Sequence, residues 1–319
     1  MREQTQALIK TEEINEIIQS TVENSVALRM MTRLPNMATN AREYPIMDNY
    51  PMAGFVEGDA GLKMTTKMQW SKKKLYAEEI AAIVAIPDNV VADASYDIWG
   101  QVKPRLTEAA GRVIDKAIFF SADKPKSWRE GIVPAAISAG NTVAATTDLY
   151  KDVFAENGLI AKVEEDGYFP SGILSAISMR AKLRGLRDKS DRPLFLENMQ
   201  GTTPYALNGM QLEFPRNGAF DDTKALMITG DFSQAVYAIR QDVTFDVFDS
   251  GVVSDADGKV IYNLMQNDMK AIRMVIRLGW DIFNPLNAIN EDETTRFPFA
   301  VYTPATPSAS AAAAKTASR

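Results

Sequence analysis

The chain of 319 residues contains no histidine and no cysteine. Those two absences exclude a Ser-His-Asp triad, a cysteine nucleophile, a histidine general base, an ordinary zinc site and any disulfide. Catalysis would have to come from carboxylates, lysine or tyrosine, and no P-loop, G-x-G-x-x-G or G-x-S-x-G motif is present to house it. No metal and no cofactor is expected. Long apolar runs are missing as well. The run "IAAIVAI" at Ile80–Ile86 falls well short of a membrane span, and "MREQTQALIK" lacks the apolar centre of a signal peptide, so a cytoplasmic site of synthesis and no membrane contact are expected. Basic charge is in the minority, with 35 Lys and Arg against 41 Asp and Glu, a net charge of −6. Affinity for nucleic-acid phosphates needs clustered cations, so such a chain is not expected to grip DNA.

What is present has the balance of a soluble globular protein, 46% hydrophobic and 24% charged, with enough length for a large core or two domains. Thr11 reads as an N-cap, and Ile14, Ile17, Ile18, Val22 and Val26 fall on one helical face, in a helix that ends before Pro35. A proline-punctuated arm follows through "REYPIMDNYPMAGFVEGDAG". A two-strand ribbon is expected next, Leu62 to about Trp70 outward and about Lys74 to Ile86 back. Its tip, "KMTTKMQWSKKK", interleaves Lys63, Lys67, Lys72, Lys73 and Lys74 with Met64, Met68 and Trp70. That mixture could stack on single-stranded nucleic acid, but lysine is also the usual guard of an unpaired strand edge, and the second reading is preferred.

Ile98, Val102, Leu106, Ala110, Val113 and Ala117 recur at three- and four-residue spacing and predict a long helix. Gly100 and Pro104 should bend it near Lys103 or break it in two. From Gly131 to Gly251 the pattern is mixed. It predicts a helix near Thr147, a strand at Ser171–Leu174, a basic helix in "ISMRAKLRGLRDK", and strands at Met210–Phe214, Ala225–Thr229 and Ala235–Phe248. The last of these, in "GDFSQAVYAIRQDVTFDVFDSG", alternates with period two and carries no group suited to chemistry. A long strand or helix-to-strand passage is expected from Met269 to Phe283, and "TPATPSASAAAAKTASR" is a low-complexity tail. The segment "SDADGKV" has Val253 where a calcium loop needs its first acidic ligand, so it reads as a hairpin turn at Asp257-Gly258. The acidic pair Glu78 and Glu79 and the run "KVEEDG" read as solvated faces, and Trp99 and Trp280 as core or interface anchors.

The order of these stretches resembles a known family. An N-terminal arm, "FVEGDAGLKMTTKMQWSKKKLYAEEIAAIVAIPDNVVADA", a long helix, "DKAIFFSADKPKSW", the strands of "GDFSQAVYAIRQDVTFDVF" and then "QNDMKAIRMVIRLGWDIFNP" are similar to the major capsid proteins of tailed double-stranded-DNA bacteriophages, from about Ser20 to Pro285. The resemblance implies an α+β Hong Kong 97-type capsid fold. Its parts would be an N-terminal arm at 1–53, an extended loop at 54–85, a peripheral domain at 86–139 and 249–301 with a spine helix at 95–122, an axial domain at 140–248 and a tail at 302–319. It also implies a structural virion protein that is not an enzyme, assembling as hexamers and pentamers into an icosahedral head around DNA that it does not bind sequence-specifically.

A separate scaffolding protein, a portal and a decoration protein would be its partners. Met1 lies just before the arm, which points to a scaffold carried on another chain. Leu62, Lys63, Met64, Lys67, Met68, Trp70, Lys72, Lys73 and Lys74 would then form a subunit interface, with Gly100 and Pro104 marking a bend in the spine. Some relatives cross-link a loop lysine to a distant asparagine; here Lys63 or Lys67 and Asn284 or Asn287 would be the pair. An encapsulin-type compartment shares the fold and would differ in its contents. A lysine- or carboxylate-based hydrolase is the alternative from another class.

Overall fold

In the computed structural model, residues 24–47, 51, 53–55, 65–95, 97–186, 206–255 and 257–305 are described. The expected Thr11 helix, up to residue 23, and the loop residues Leu62, Lys63 and Met64 lie outside them, as does the tail from residue 306. The described chain opens with α1 (Val26–Met30), β1 (Thr32–Arg33), β2 (Ala41–Met47), β3 (Trp70–Tyr76), β4 (Glu78–Pro87), α2 (Asp88–Asp93) and α3 (Ile98–Phe120). It continues through α4 (Ile132–Ala139), β5 (Thr142–Ala144), α5 (Leu149–Phe154), α6 (Leu159–Glu165), β6 (Gly172–Ser175) and α7 (Met179–Arg184). After these come β7 (Ala206–Leu207), β8 (Met210–Glu213), β9 (Met227–Gly230), β10 (Ala235–Phe248), β11 (Val252–Ser254), β12 (Val260–Asn263), β13 (Met269–Ile282) and β14 (Phe299–Thr303).

The two longest strands, β10 and β13, pair antiparallel with Tyr237 opposite Trp280, and register shifts between Ile239 and Thr244 mark bulges. β13 is buried on both faces for most of its length, which explains its near-continuous apolar sequence. β4 joins its other side, Ile80 opposite Ile276, giving a sheet in the order β1-β10-β13-β4. A second, mixed sheet runs β5-β14-β9-β6-β8-β7. Between them lies one apolar cluster that takes Ile114 and Ile118 from α3, Met274 and Trp280 from the first sheet, and Leu174, Ile228 and Val301 from the second. α3 is the expected amphipathic helix: Leu106, Ala110, Ile114, Ala117 and Ile118 are buried at helical spacing, and it ends at Ser121 in the left-handed region, φ 58°.

Four expectations need correction. The ribbon is not a hairpin of 62–70 with 74–86. Its outward strand is β2, which pairs with β3 from Ala41↔Tyr76 to Met47↔Trp70, while β4 leaves the ribbon for β13. The stretch Ser71-Lys72-Lys73-Lys74 has no Gly, Pro, Asn or Asp and simply continues β3, and the apolar face of β4 finds a wide sheet to cover. Pro45 is tolerated because β2 is an edge strand. Second, α3 is unbroken through Pro104, so the alternative of two helices is not realised. Third, β10, expected in the middle domain, belongs with β13. Fourth, β14, split between a peripheral domain and a tail, closes the second sheet between β9 and β5. The chain crosses between the sheets at Gly230–Ala235 and returns after Ile282, where Phe232, Phe297 and Phe299 stack at 5.1–5.8 Å.

Candidate intersubunit surface

The ribbon is fixed at its root and open at its tip. At the root, Leu75, Ala77, Met37 and Ala238 form a small buried cluster with Leu34 and Tyr44 against it, and the Tyr44 ring lies 5.3 Å from Phe283. Ala77 N–H donates to the Asn40 carbonyl at 2.9 Å. At Gly279 on β13, an added Cβ would stand 2.9 Å from the Tyr76 carbonyl carbon and closer still to its oxygen, so only glycine lets the ribbon root cross the sheet this closely.

Alternation along β3 separates the three lysines. Lys72 and Lys74 share one face and bracket Glu43, Nζ to Oε distances 2.9 and 3.1 Å. Their hydrogen bonds and charge hold the Glu43 carboxyl below the ordinary carboxylate range. Lys73 points the other way. Its Nζ donates to the carbonyls of Phe283 (3.3 Å) and Ile282 (3.5 Å), with Glu293 at 3.9 Å, and burial lowers its pKa. Lys72, Lys73 and Lys74 were expected in a subunit interface. Within the subunit all three already engage their own chain, Lys72 and Lys74 because β2 supplies Glu43 directly opposite Lys74.

Beyond the root the apolar residues have no cover: Trp70 is 58% exposed, Met68 48% and Phe55 fully open, and Lys67 beside them is exposed. A second exposed patch was not anticipated. β11 and β12 form a hairpin through the expected turn, in which Gly258 N–H donates to the Asp255 carbonyl, and Val252, Val260, Ile261, Tyr262 and nearby Met265 are all exposed. The signal in the sequence was "VIYN", three consecutive apolar residues that a two-stranded hairpin cannot bury on both faces.

Buried ionisable groups elsewhere hold structure together. Asp115 on α3 receives Ser25 Oγ and Ala27 N–H on one oxygen and Val26 N–H and Asn217 Nδ2 on the other. Burial pushes its pKa up, and the four bonds oppose that shift. Gly111 lies one turn earlier, where a Cβ would come within 3.2 Å of the Asn24 and Ser25 backbone. Asp166 accepts from Asn141 Nδ2, Phe297 N–H and Asn290 Nδ2, so it ties α6 to the segment before β14. Burial raises the Tyr168 phenol to about 12; it donates to Asn284 Oδ1 at 2.7 Å. The amides of Asn284 and Asn287 also donate internally, to the Arg296 and Asp166 carbonyls. Glu78 accepts from Ser127, and Glu165 pairs with Lys162. Among the described residues no group of three or more Asp and Glu could hold a metal ion.

The phage capsid family matches residues 5–290. A solved chain of Microbacterium phage Oxtober96 superposes with a TM-score of 0.76 at 33% identity, covering 88% of this chain and 91% of that one. Two curated relatives are the probable major capsid protein gp17 of Mycobacterium phage D29, 22% identical over 83% of this chain and 84% of its own length, and the major capsid protein of Staphylococcus phage 80alpha, 21% identical over 88% and 84%. With an α+β architecture shared along most of its length and a family match over residues 5–290, this chain belongs to the phage capsid family.

Proposed function

We propose that this chain is the major capsid protein of a tailed bacteriophage, whose copies assemble as hexamers and pentamers into the icosahedral head around packaged double-stranded DNA. The observation that carries this reading is the ribbon tip. Met68 and Trp70 stand exposed beyond a root that is hydrogen-bonded and packed. A two-stranded ribbon is marginal in water and such residues gain by burial, so a neighbouring copy is the natural cover. Lys67, with Leu62, Lys63 and Met64 just before the described strand, would complete that contact. Lys72 and Lys74 would flank it and Lys73 would brace its root. Repeated contacts of this heterologous kind close into rings and shells.

Assembly takes place in the host cytoplasm, with a scaffolding protein and a portal as partners, a decoration protein on the outer face, and a final location in the virion head. The net charge of −6 suits a wall that encloses DNA without holding it. The first sheet with α3 corresponds to a peripheral domain and the second sheet to an axial one, and Gly100 and Pro104 mark a bend that shifts between shell states. A cryo-electron microscopy map of assembled particles tests the reading: Trp70 should pack against an adjacent subunit, and a shell in which it faces solvent overturns the assigned interface.

A further inference from the structure

Two exposed apolar patches lie at opposite ends of the first sheet. One is the ribbon tip with Met68 and Trp70, and the other is the hairpin β11–β12 with Val252, Val260, Ile261 and Tyr262. The hairpin is rooted where β13 begins, with Leu264, Met269 and Ala271 packed against Val253 and Ala85. The ribbon crosses β13 near its other end, Tyr76 against Gly279 and Lys73 Nζ at the carbonyls of Ile282 and Phe283, so Trp70 lies beyond Ile282. The 14 residues of β13 that separate the two patches span about 45 Å. A subunit cannot lay its own tip on its own hairpin.

The hairpin has the sequence of a covered element. Val260, Ile261 and Tyr262 are consecutive, so both faces of β12 are apolar, the pattern of a strand enclosed on both sides, yet all three are exposed. Charge selects what covers them. From Asp249 to Asp268 the exposed acids Asp249, Asp255, Asp257 and Asp268 stand against one cation, Lys259. At the tip, Lys67, Lys72 and Lys74 stand against one carboxylate, Glu43. Hairpin on hairpin presses aspartates together, and tip on tip presses lysines together. Tip on hairpin buries apolar surface from both sides and sets opposite charges face to face.

We propose that the ribbon tip of one copy docks on the β11–β12 hairpin of the next, Met68 and Trp70 against Val252 and Ile261, with Lys67 facing Asp255 and Asp257. This rests on the reading of the tip as an intersubunit contact and adds the surface that receives it. Because the two patches lie at opposite ends of one sheet, the contact is head-to-tail and repeats from copy to copy until a ring closes.

The chain has no cysteine, so disulfides can be placed without background. In assembled shells of the double variant Met68→Cys, Ile261→Cys, mild oxidation should convert most of the monomer band on a non-reducing gel into a ladder of linked chains, while dilute unassembled subunits stay monomeric. Ile261→Cys alone should give no dimers; dimers would mean that hairpin meets hairpin and would overturn the proposal. The pair Met68→Cys, Val90→Cys moves the second thiol to the open apolar groove between α3 and β4. A ladder from that pair in equal or greater yield overturns the proposal and leaves the tip an intersubunit contact. No ladder from either pair overturns it too, and a map of the shell with Trp70 in solvent then removes the intersubunit reading as well. Should the double variants not assemble, wild-type shells carry the test: zero-length carbodiimide coupling should join Lys67 to Asp255 or Asp257 of another chain, and coupling of Lys67 only to other acids, or to none, overturns the proposal.

Discussion

Replacing Asp115 with Asn tests how the start of the described chain is held to α3. The carboxylate takes four donors, two on each oxygen. Asparagine offers one acceptor and one donor in the same shape. In the better of its two orientations the new NH2 faces Ser25, whose hydroxyl can turn to accept, and the Ala27 N–H, which is left without an acceptor. An unsatisfied buried donor costs about 1–3 kcal/mol and the remaining bonds lose their charge assistance, so the variant should be less stable by about 2–4 kcal/mol at neutral pH. Urea unfolding followed by tryptophan fluorescence measures this, and amide exchange should accelerate first at Val26, Ala27 and Leu28. The sign of the pH effect follows from the raised folded-state pKa. The contribution of Asp115 is fully present below the unfolded value near 3.8 and is lost as pH rises through the folded value, so the gap between wild type and variant should widen on acidification. A variant within about 0.5 kcal/mol of wild type, with unchanged exchange at α1, would refute the clasp.

Other perturbations probe the ribbon root, the spine and the charge. Gly279→Ala should force the ribbon off the sheet and cost about 1–3 kcal/mol, read as a fall of several degrees in the melting temperature of the subunit; an unchanged melt would mean the crossing has slack. Pro104→Ala restores a donor to the Gly100 carbonyl and should straighten and stabilise α3 by about 1–3 kcal/mol, checked by melting and by the structure of the variant. Unassembled subunits should bind duplex DNA weakly in filter assays and lose that binding as salt rises, whereas tight binding at high salt would contradict the inference from net charge.

The elements easiest to read were those whose periodicity is imposed by burial. α3 follows from Leu106, Ala110, Ile114 and Ala117, and β13 from an apolar run long enough to cross a sheet buried on both sides. Partners were harder. The strand pattern of Glu78–Pro87 is plain, but its mate β13 lies nearly two hundred residues away, and only the fold could say that β2, disguised by Pro45, is what β3 pairs with. Lys73 was readable in retrospect, since period two sets it on the face opposite Lys72 and Lys74. Charge alone grouped all three. In the hairpin β11–β12 the turn at Asp257-Gly258 is the plain local signal, while the exposed apolar residues Val252, Val260, Ile261 and Tyr262 lie on its arms, where period two alone does not tell a covered face from an open one.

The most direct test of shell building through the ribbon tip compares wild type with a Met68→Ser, Trp70→Ser variant by sedimentation velocity and negative-stain electron microscopy, with circular dichroism confirming that both are folded. Wild-type protein should form closed shells while the variant stays a folded small species, because the tip contributes nothing to the subunit's own core. Normal shells from the variant, or wild-type protein that assembles into nothing larger than a few subunits with its scaffold present, would contradict the account.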